Sequence, residues 1–452
     1  MNKFLFKQID NSSLVVFRII FGLLIFLESV GAIFTGWVKR TLIDPEFTFT
    51  VIGFEWLQPL PGNGMYFYYL IMGLFGFFVM IGYKYRLSMI SFTILWTATY
   101  LMQKASYNNH YYLLILISSF MCLVPANKYL SIDAKLKPEI ISYKMPNWAK
   151  WIFITQMAIV YTYGSIAKLY PDWLNTSVVK QLMMAKEHYY FVGDLLQQTW
   201  VHYILAYGGI AFDGLIIPLL LFKPTRKIAF ICAIFFHLFN AIVFQVGIFP
   251  FLSLAFCLFF FEAKTIHNIF LKRKPFYNSI EITTPNYAQA LKPILFVYFA
   301  IQLVLPIRHW LIPGDVLRTE EGHRLSWRMM LRKKSGSINY KVIDKATGKA
   351  TFVPHHNLVS QKQSRLLATK PDVIWQFIQY LKKKYKDEGK SVEIYAINSR
   401  VSVNGGKYTP FIDPKVDLTT VEWNTFTHSD WILNERPDLK KTVSKKQPAR
   451  TH

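Results

Sequence analysis

The chain has 452 residues, 52% of them hydrophobic and 17% aromatic against only 17% charged, with a formal net charge of +24. A water-soluble protein of this length carries more charge and shorter apolar bursts, so a soluble enzyme or binding module is excluded. The basic excess lies between the apolar runs and near the C-terminus without an RNA- or DNA-binding motif, which points to membrane topology and anionic lipid and away from nucleic acid.

The N-terminus shows no short apolar core followed by a small-residue cleavage site, so no removable signal peptide is expected. Runs such as LVVFRIIFGLLIFLESVGAIF, MYFYYLIMGLFGFFVMIG and YILAYGGIAFDGLIIPLLLF have the length of a bilayer core, about 20 residues. Spans are predicted near 15–37, 65–82, 88–103, 110–124, 149–167, 203–222, 227–245, 248–262 and 291–306, giving a polytopic helical membrane domain of about eight to nine transmembrane helices over 1–306. From 307 the pattern changes. GSINYKVID and SVEIYAI read as strands, VIWQFIQYLKKKYK as an amphipathic helix and NGGK as a turn, so 307–435 is predicted to be a soluble, β-rich α+β domain. Residues 436–452 read as a polar, disordered tail.

The basic loops at 83–86, 128–150, 223–227 and 272–274 fall on one side of this span count. The positive-inside rule makes that side cytoplasmic. The N-terminus is then cytoplasmic, and the soluble domain and active site lie on the outer, periplasmic or lumenal, side. Cys122, Cys232 and Cys257 sit in apolar runs with neither disulfide nor metal spacing, so no metal site is expected.

Ionisable groups inside spans are costly and mark cavities or partners. Arg18 and Glu28 lie ten residues apart on one face of the first span, as a pair or as polar lining. Asp213, in IAFDGLIIP, reads as an acceptor of structural hydrogen bonds. Asn108, Asn109 and His110 in NNHYY, Lys168 in YGSIAKLYPDW, and His237 with Asn240 in FFHLFNA all fall at the outer ends of their spans. Lys168 reads either as a snorkelling anchor or as a functional amine. A lysine accepts a proton only as the free amine, the form that apolar neighbours such as Tyr161, Tyr163 and Trp173 favour.

The segments FRIIFGLLIFLE, NNHYYL, IAKLYPDW, FFHLFNAIVFQVGIFPF, RHWL and VSVNGGKYTPFIDPKVDL resemble, in order and spacing, those of vitamin K-dependent γ-glutamyl carboxylases. The resemblance runs from about residue 11 to 435. It implies a membrane enzyme of the carbon–carbon lyase type that converts protein glutamate to γ-carboxyglutamate. The cofactor implied is reduced vitamin K, phylloquinol or menaquinol, with CO2 and O2 as co-substrates, and the quinol is epoxidised as the carboxyl group is added. The partners implied are a glutamate-containing protein or peptide and membrane lipid. By the same resemblance Lys168 matches the family's essential base. His110 and Asn109 match further catalytic positions, and His237, Asn240, Asn109 and His110 are candidates for binding the quinol.

Two departures stand out. The family often has a lysine where this chain has Ala167, and its SWDMM reads SWRMM here, placing Arg328 where an acid is usual. Two other readings stay open: a quinol epoxidase or oxygenase without protein carboxylation, and a non-enzymatic transport or lipid-binding protein. The apolar runs show no internal repeat of the kind transporters carry.

Overall fold

The computed structural model describes residues 2–434. The predicted tail at 436–452 lies outside the described residues. Helices fill the chain to Ile307 and the strands of a four-stranded sheet follow, so the chain is a helical membrane protein with a C-terminal α+β unit.

The membrane part is built from α1 (Ser12–Phe34), α2 (Gly64–Ile81), α3 (Tyr85–Met102), α4 (Asn109–Leu123), α5 (Trp148–Ile166), α6 (Thr199–Leu221), α7 (Arg226–Phe239), α8 (Phe249–Phe256), α9 (Ala263–Phe270) and α10 (Ala288–Ile307). Five helices are long and apolar enough to cross a membrane, or six if the bent pair formed by Phe249–Phe259 and Ala263–Phe270 counts as one span. The expectation of eight to nine is too high by that standard, for physical reasons. At 1.5 Å per residue the 15-residue α4 is about 22 Å long, short of a hydrocarbon core of about 30 Å. The chain after Phe259 turns by 116° rather than continuing. Helices α3 and α5 carry too many polar and aromatic side chains to pass on composition.

Helices α1 and α2 pack backbone to backbone. A Cβ on Gly22 would lie 2.3 Å from the Met80 nitrogen, and one on Gly76 2.8 Å from that of Phe26. Without water inside a bilayer, such close approach of small residues supplies the packing energy. Phe17, Phe153, Phe256 and Phe259 fill the bundle centre, with the Phe153 and Phe259 rings stacked at 4.8 Å.

At one end of the bundle, β1 (Gln8–Asp10) pairs antiparallel with β2 (Lys144–Pro146), and a buried Asp10–Lys274 ion pair at 2.5 Å ties in the loop after α9. Asp133 receives the backbone N–H groups of Lys84 and Tyr85 there. The basic loops at 83–86, 128–150 and 272–274 therefore gather at one end.

The C-terminal unit seats on the other end. Its sheet has the order β4 (Ala350–Val353), β3 (Lys334–Asp344), β5 (Val392–Val403), β6 (Thr409–Pro410), all antiparallel. Alternate residues Ile338, Tyr340 and Val342 of β3 are buried with Ile394 and Ala396 of β5. Helix α11 (Pro371–Asp387) adds Val373, Phe377 and Leu381 to the same core, as a period of two facing a period near 3.6 requires. Gln376 donates to Thr50 at 3.2 Å, Gln363 to the Phe47 carbonyl at 2.7 Å, and Asn404 to Asp172 at 2.9 Å, so the sheet unit is fastened to the membrane loops.

Candidate functional site

Asn108 caps α4 by accepting the Tyr111 N–H at 2.7 Å, which fixes where the next two side chains point. Asn109 is buried and its amide is engaged at both ends. Its oxygen accepts from Tyr107 Oη at 2.9 Å and its nitrogen donates to the Arg328 carbonyl at 3.2 Å. His110 stacks on Phe249 with centroids 4.0 Å apart. His237 meets the same Phe249 edge-on at 6.2 Å and bonds Tyr161 Oη through Nε2 at 2.9 Å, while its Nδ1 is buried without a partner among the described residues. Phe249 thus brings the two histidines together. Asn240 is not brought to them by its amide, which donates back to the Phe236 carbonyl at 2.8 Å where α7 widens into a π turn.

Lys168 is 8% exposed. Its Nζ donates to Asp213 Oδ2 at 2.5 Å and to the Gly164 carbonyl at 3.1 Å, and lies 5.5 Å from the Trp173 ring centre. A solvent-facing anchor would reach outward, and this amine is turned into the protein between α5 and α6. The hydroxyls of Tyr161 and Tyr163 go to His237 and to the Leu303 carbonyl. Asp213, expected to have a structural role, is the partner that sequence reasoning missed; the signal was a carboxylate in a span with no cation on its own helix. Arg18 and Glu28 do not pair. Arg18 donates to the Leu130 carbonyl and Glu28 accepts from Tyr111 Oη at 3.0 Å.

A cavity of 930 Å³ lies where α4 meets the segment joining α10 to the sheet. Trp37, Tyr100, Tyr107, Tyr111 and Tyr112 line its membrane side, together with Asn109 and His110, and Met329 and several cations line the other. Met329 also reaches the lysine site, since its Cε would be 3.7 Å from a Cβ on Gly164 and Asp213 Oδ2 only 3.1 Å. The chain here is strained. Leu325, Trp327 and Met330 hold φ of 61°, 53° and 55° without being glycine, at a cost of about 1–3 kcal/mol each. Trp327, buried and stacked on Tyr112 at 5.1 Å, locks the turn.

The cations are largely matched. Asp372 bridges Lys104 at 3.1 Å and Arg324 at 2.9 Å. Burial works against its charge, but Arg324 and Lys104 hold the Asp372 carboxyl well below the usual range. Burial outweighs the pull of Asp372 on Lys104 and lowers that amine to about 8. Glu320 is bound by Arg332, by Lys370 at 2.7 Å and by Lys334 at 3.3 Å, and these three keep it ionised against burial. A second cavity of 560 Å³ lies against the corner after α5, lined by Tyr170, Trp310 and Leu317, and Arg328 borders both.

Residues 6–264 match the HTTM domain, and residues 287–438 match a domain described as the vitamin K-dependent gamma-carboxylase lumenal domain. No solved structure matches the chain.

Proposed function

Because the chain belongs to the vitamin K-dependent γ-carboxylase family, we propose that it carboxylates protein glutamate with CO2, coupled to oxygenation of reduced vitamin K to its epoxide. Family membership implies use of reduced vitamin K and a glutamate-containing protein substrate. The coupling, the co-substrates and the residue roles are our reading.

The walls of the larger cavity suit such a cofactor. They offer aromatic rings to a flat bicyclic ring, apolar membrane helices to an isoprenoid tail, and the unpartnered Nδ1 of His237 close by. His110 and His237, set around Phe249, are the groups we assign to holding it, with Tyr161 fixing the His237 ring. When bound, reduced vitamin K supplies with O2 the strong base that removes the glutamate γ-proton.

Lys168 is assigned to taking up the proton that the quinol gives up. The Asp213 carboxylate lies 2.5 Å from the amine, so the two side chains are assigned to this proton transfer together. Gly164 orients the amine through its carbonyl. Asn109 acts by positioning, holding the Arg328 turn against α4. Packed aromatic walls keep bulk water from a carbanion. Asn240 is retained only as a neighbour of this site, since its amide is spent on its own helix.

The observation that carries the reading is the Asn109–Arg328 hydrogen bond, which sets the membrane NNH segment and the SWRMM turn on one cavity beside the Lys168–Asp213 pair. We place 1–306 as the catalytic membrane domain and the sheet unit, with the site, on the outer face, leaving the basic loops and N-terminus cytoplasmic. The test supplies purified protein in detergent with reduced vitamin K, labelled bicarbonate and a glutamate peptide. Label fixed in the peptide and lost in Lys168→Ala supports the reading. Epoxide without fixed label selects a quinol epoxidase, and no quinol turnover by folded protein sinks both.

A further inference from the structure

The charges on the larger cavity do not cancel. Six basic side chains face it, Lys104, Arg308, Arg324, Arg328, Arg332 and Lys370, against three carboxylates, Glu320, Glu321 and Asp372. The partners can be assigned one by one. Asp372 takes Lys104 and Arg324, and Glu320 takes Arg332 and Lys370. Glu321 accepts from His428 Nδ1 at 2.7 Å and from the Ser429 N–H. Two guanidiniums are left, Arg308 and Arg328, and neither forms an ion pair among the described residues.

Arg328 is 7% exposed, and its Nε is buried with no hydrogen-bond partner among the described residues. One of their side chains meets the fork, His309, with Nε2 3.1 Å from Nη1. His309 Nδ1 lies 2.7 Å from the Pro306 carbonyl, which can only accept, so the proton sits on Nδ1 and Nε2 is the lone pair that receives Arg328. The contact is between a cation and a neutral ring. It orients the guanidinium without neutralising it. Burial and the nearby Arg332 lower Arg328 to about 10 against the weaker pull of Tyr170, Asp315 and Glu320, which leaves it charged at neutral pH. Arg308 shows the same condition: it donates to the Arg324 carbonyl at 2.7 Å while its Nε is buried and unpartnered among the described residues. A buried guanidinium with no carboxylate in direct contact is unfavourable, and a carboxylate is the planar anion whose two oxygens match its fork.

We propose that Arg328, oriented by neutral His309 and seconded by Arg308, is the anchor for the carboxylate of the peptide substrate. The proposal rests on the functional reading above. It adds that selection of a glutamate side chain is made on the strained turn Leu325–Met330, across the cavity from the aromatic wall. The same carboxylate chemistry could be met by bicarbonate, so the test carries both.

The full-length protein in detergent is titrated with a glutamate-containing peptide, with its glutamine counterpart and with bicarbonate alone, by calorimetry and without quinol, so that binding is read apart from turnover. The wild type is expected to bind the glutamate peptide at least about tenfold more tightly than the glutamine peptide. Arg328→Gln should abolish that preference, and Arg328→Lys, which keeps the charge but not the fork, should restore part of it. Where turnover is measurable, the loss should fall mainly on the peptide KM. Arg308→Gln, read in the same way, keeps the idea testable if Arg328→Gln does not fold. Equal binding of both peptides to the wild type, an undiminished preference in the folded variants, or loss of bicarbonate binding with the peptide preference intact would each overturn the proposal. Failure of quinol turnover with the glutamate preference present would count against the functional reading alone.

Discussion

Lys168, in the turn that closes α5, and Asp213 of α6, 45 positions apart, share a 2.5 Å hydrogen bond in a site that is almost closed to solvent. Because this bond joins the two side chains in one site, removing either member should remove one function. Asp213→Asn is therefore expected to lower quinol turnover by at least about tenfold, and the double variant with Lys168→Ala should be no worse than Lys168→Ala alone. Additive losses in epoxide formation would show that the two residues act separately.

Gly164 offers a finer probe of that pair. In an ordinary helix, glycine to alanine gains about 1 kcal/mol. Here the new methyl would come 3.1 Å from Asp213 Oδ2. Gly164→Ala should lower turnover severalfold while the protein melts no lower than the wild type, since helix propensity offsets the crowding. A variant with unchanged rate would mean that the placement of Asp213 tolerates movement.

Part of this site is legible in the amino-acid sequence. The types and order of Asn109, His110, Lys168 and His237 are visible there, and so is the switch from apolar runs to strands near 307. The Lys168–Asp213 pair is not, because nothing in a sequence says which span packs beside which. Arg18 and Glu28 show the reverse failure. Their spacing puts them on one face, yet each is taken by a neighbouring segment, Leu130 and Tyr111. The span count fails at α4, which is apolar but too short, at the pair after Phe249, which turns by 116°, and at α3 and α5, which are long enough but too polar.

Tyr161 is the one hydrogen-bond partner of the His237 ring among the described residues. Tyr161→Phe keeps the packing against Phe212 and leaves both ring nitrogens of His237 without that support. Losing the bond in a buried site costs about 1–3 kcal/mol. If His237 holds the quinol, its KM should rise roughly tenfold in steady-state epoxidation while the peptide KM stays within about twofold.

Asp372 joins a membrane loop to the C-terminal unit through Lys104 and Arg324. Asp372→Asn leaves the buried Lys104 amine facing an uncharged partner, and breaking a buried pair on one side costs about 3–5 kcal/mol. The variant should melt well below the wild type in detergent. It should also expose the joint between the two parts to protease, which a gel of limited digestion would reveal.

The same joint predicts how stability follows pH. Asp372 and Glu320 are held below the ordinary carboxylate range by their cations. Their stabilisation is present above about pH 4 and is lost as the pH falls through their folded values. Lys104 and Lys334 behave oppositely: burial lowers each to about 8, below the unfolded value of about 10.4. Between those two values the unfolded chain binds more protons than the folded one, so stability rises with pH across that window. The melting temperature in detergent should therefore climb from about pH 7.5 to about pH 9.5, where intact surface ion pairs alone would give a flat or falling curve. Lys104→Met should remove part of the climb. A melting temperature that falls steadily over this range in the wild type would show that these lysines keep their protons in the fold.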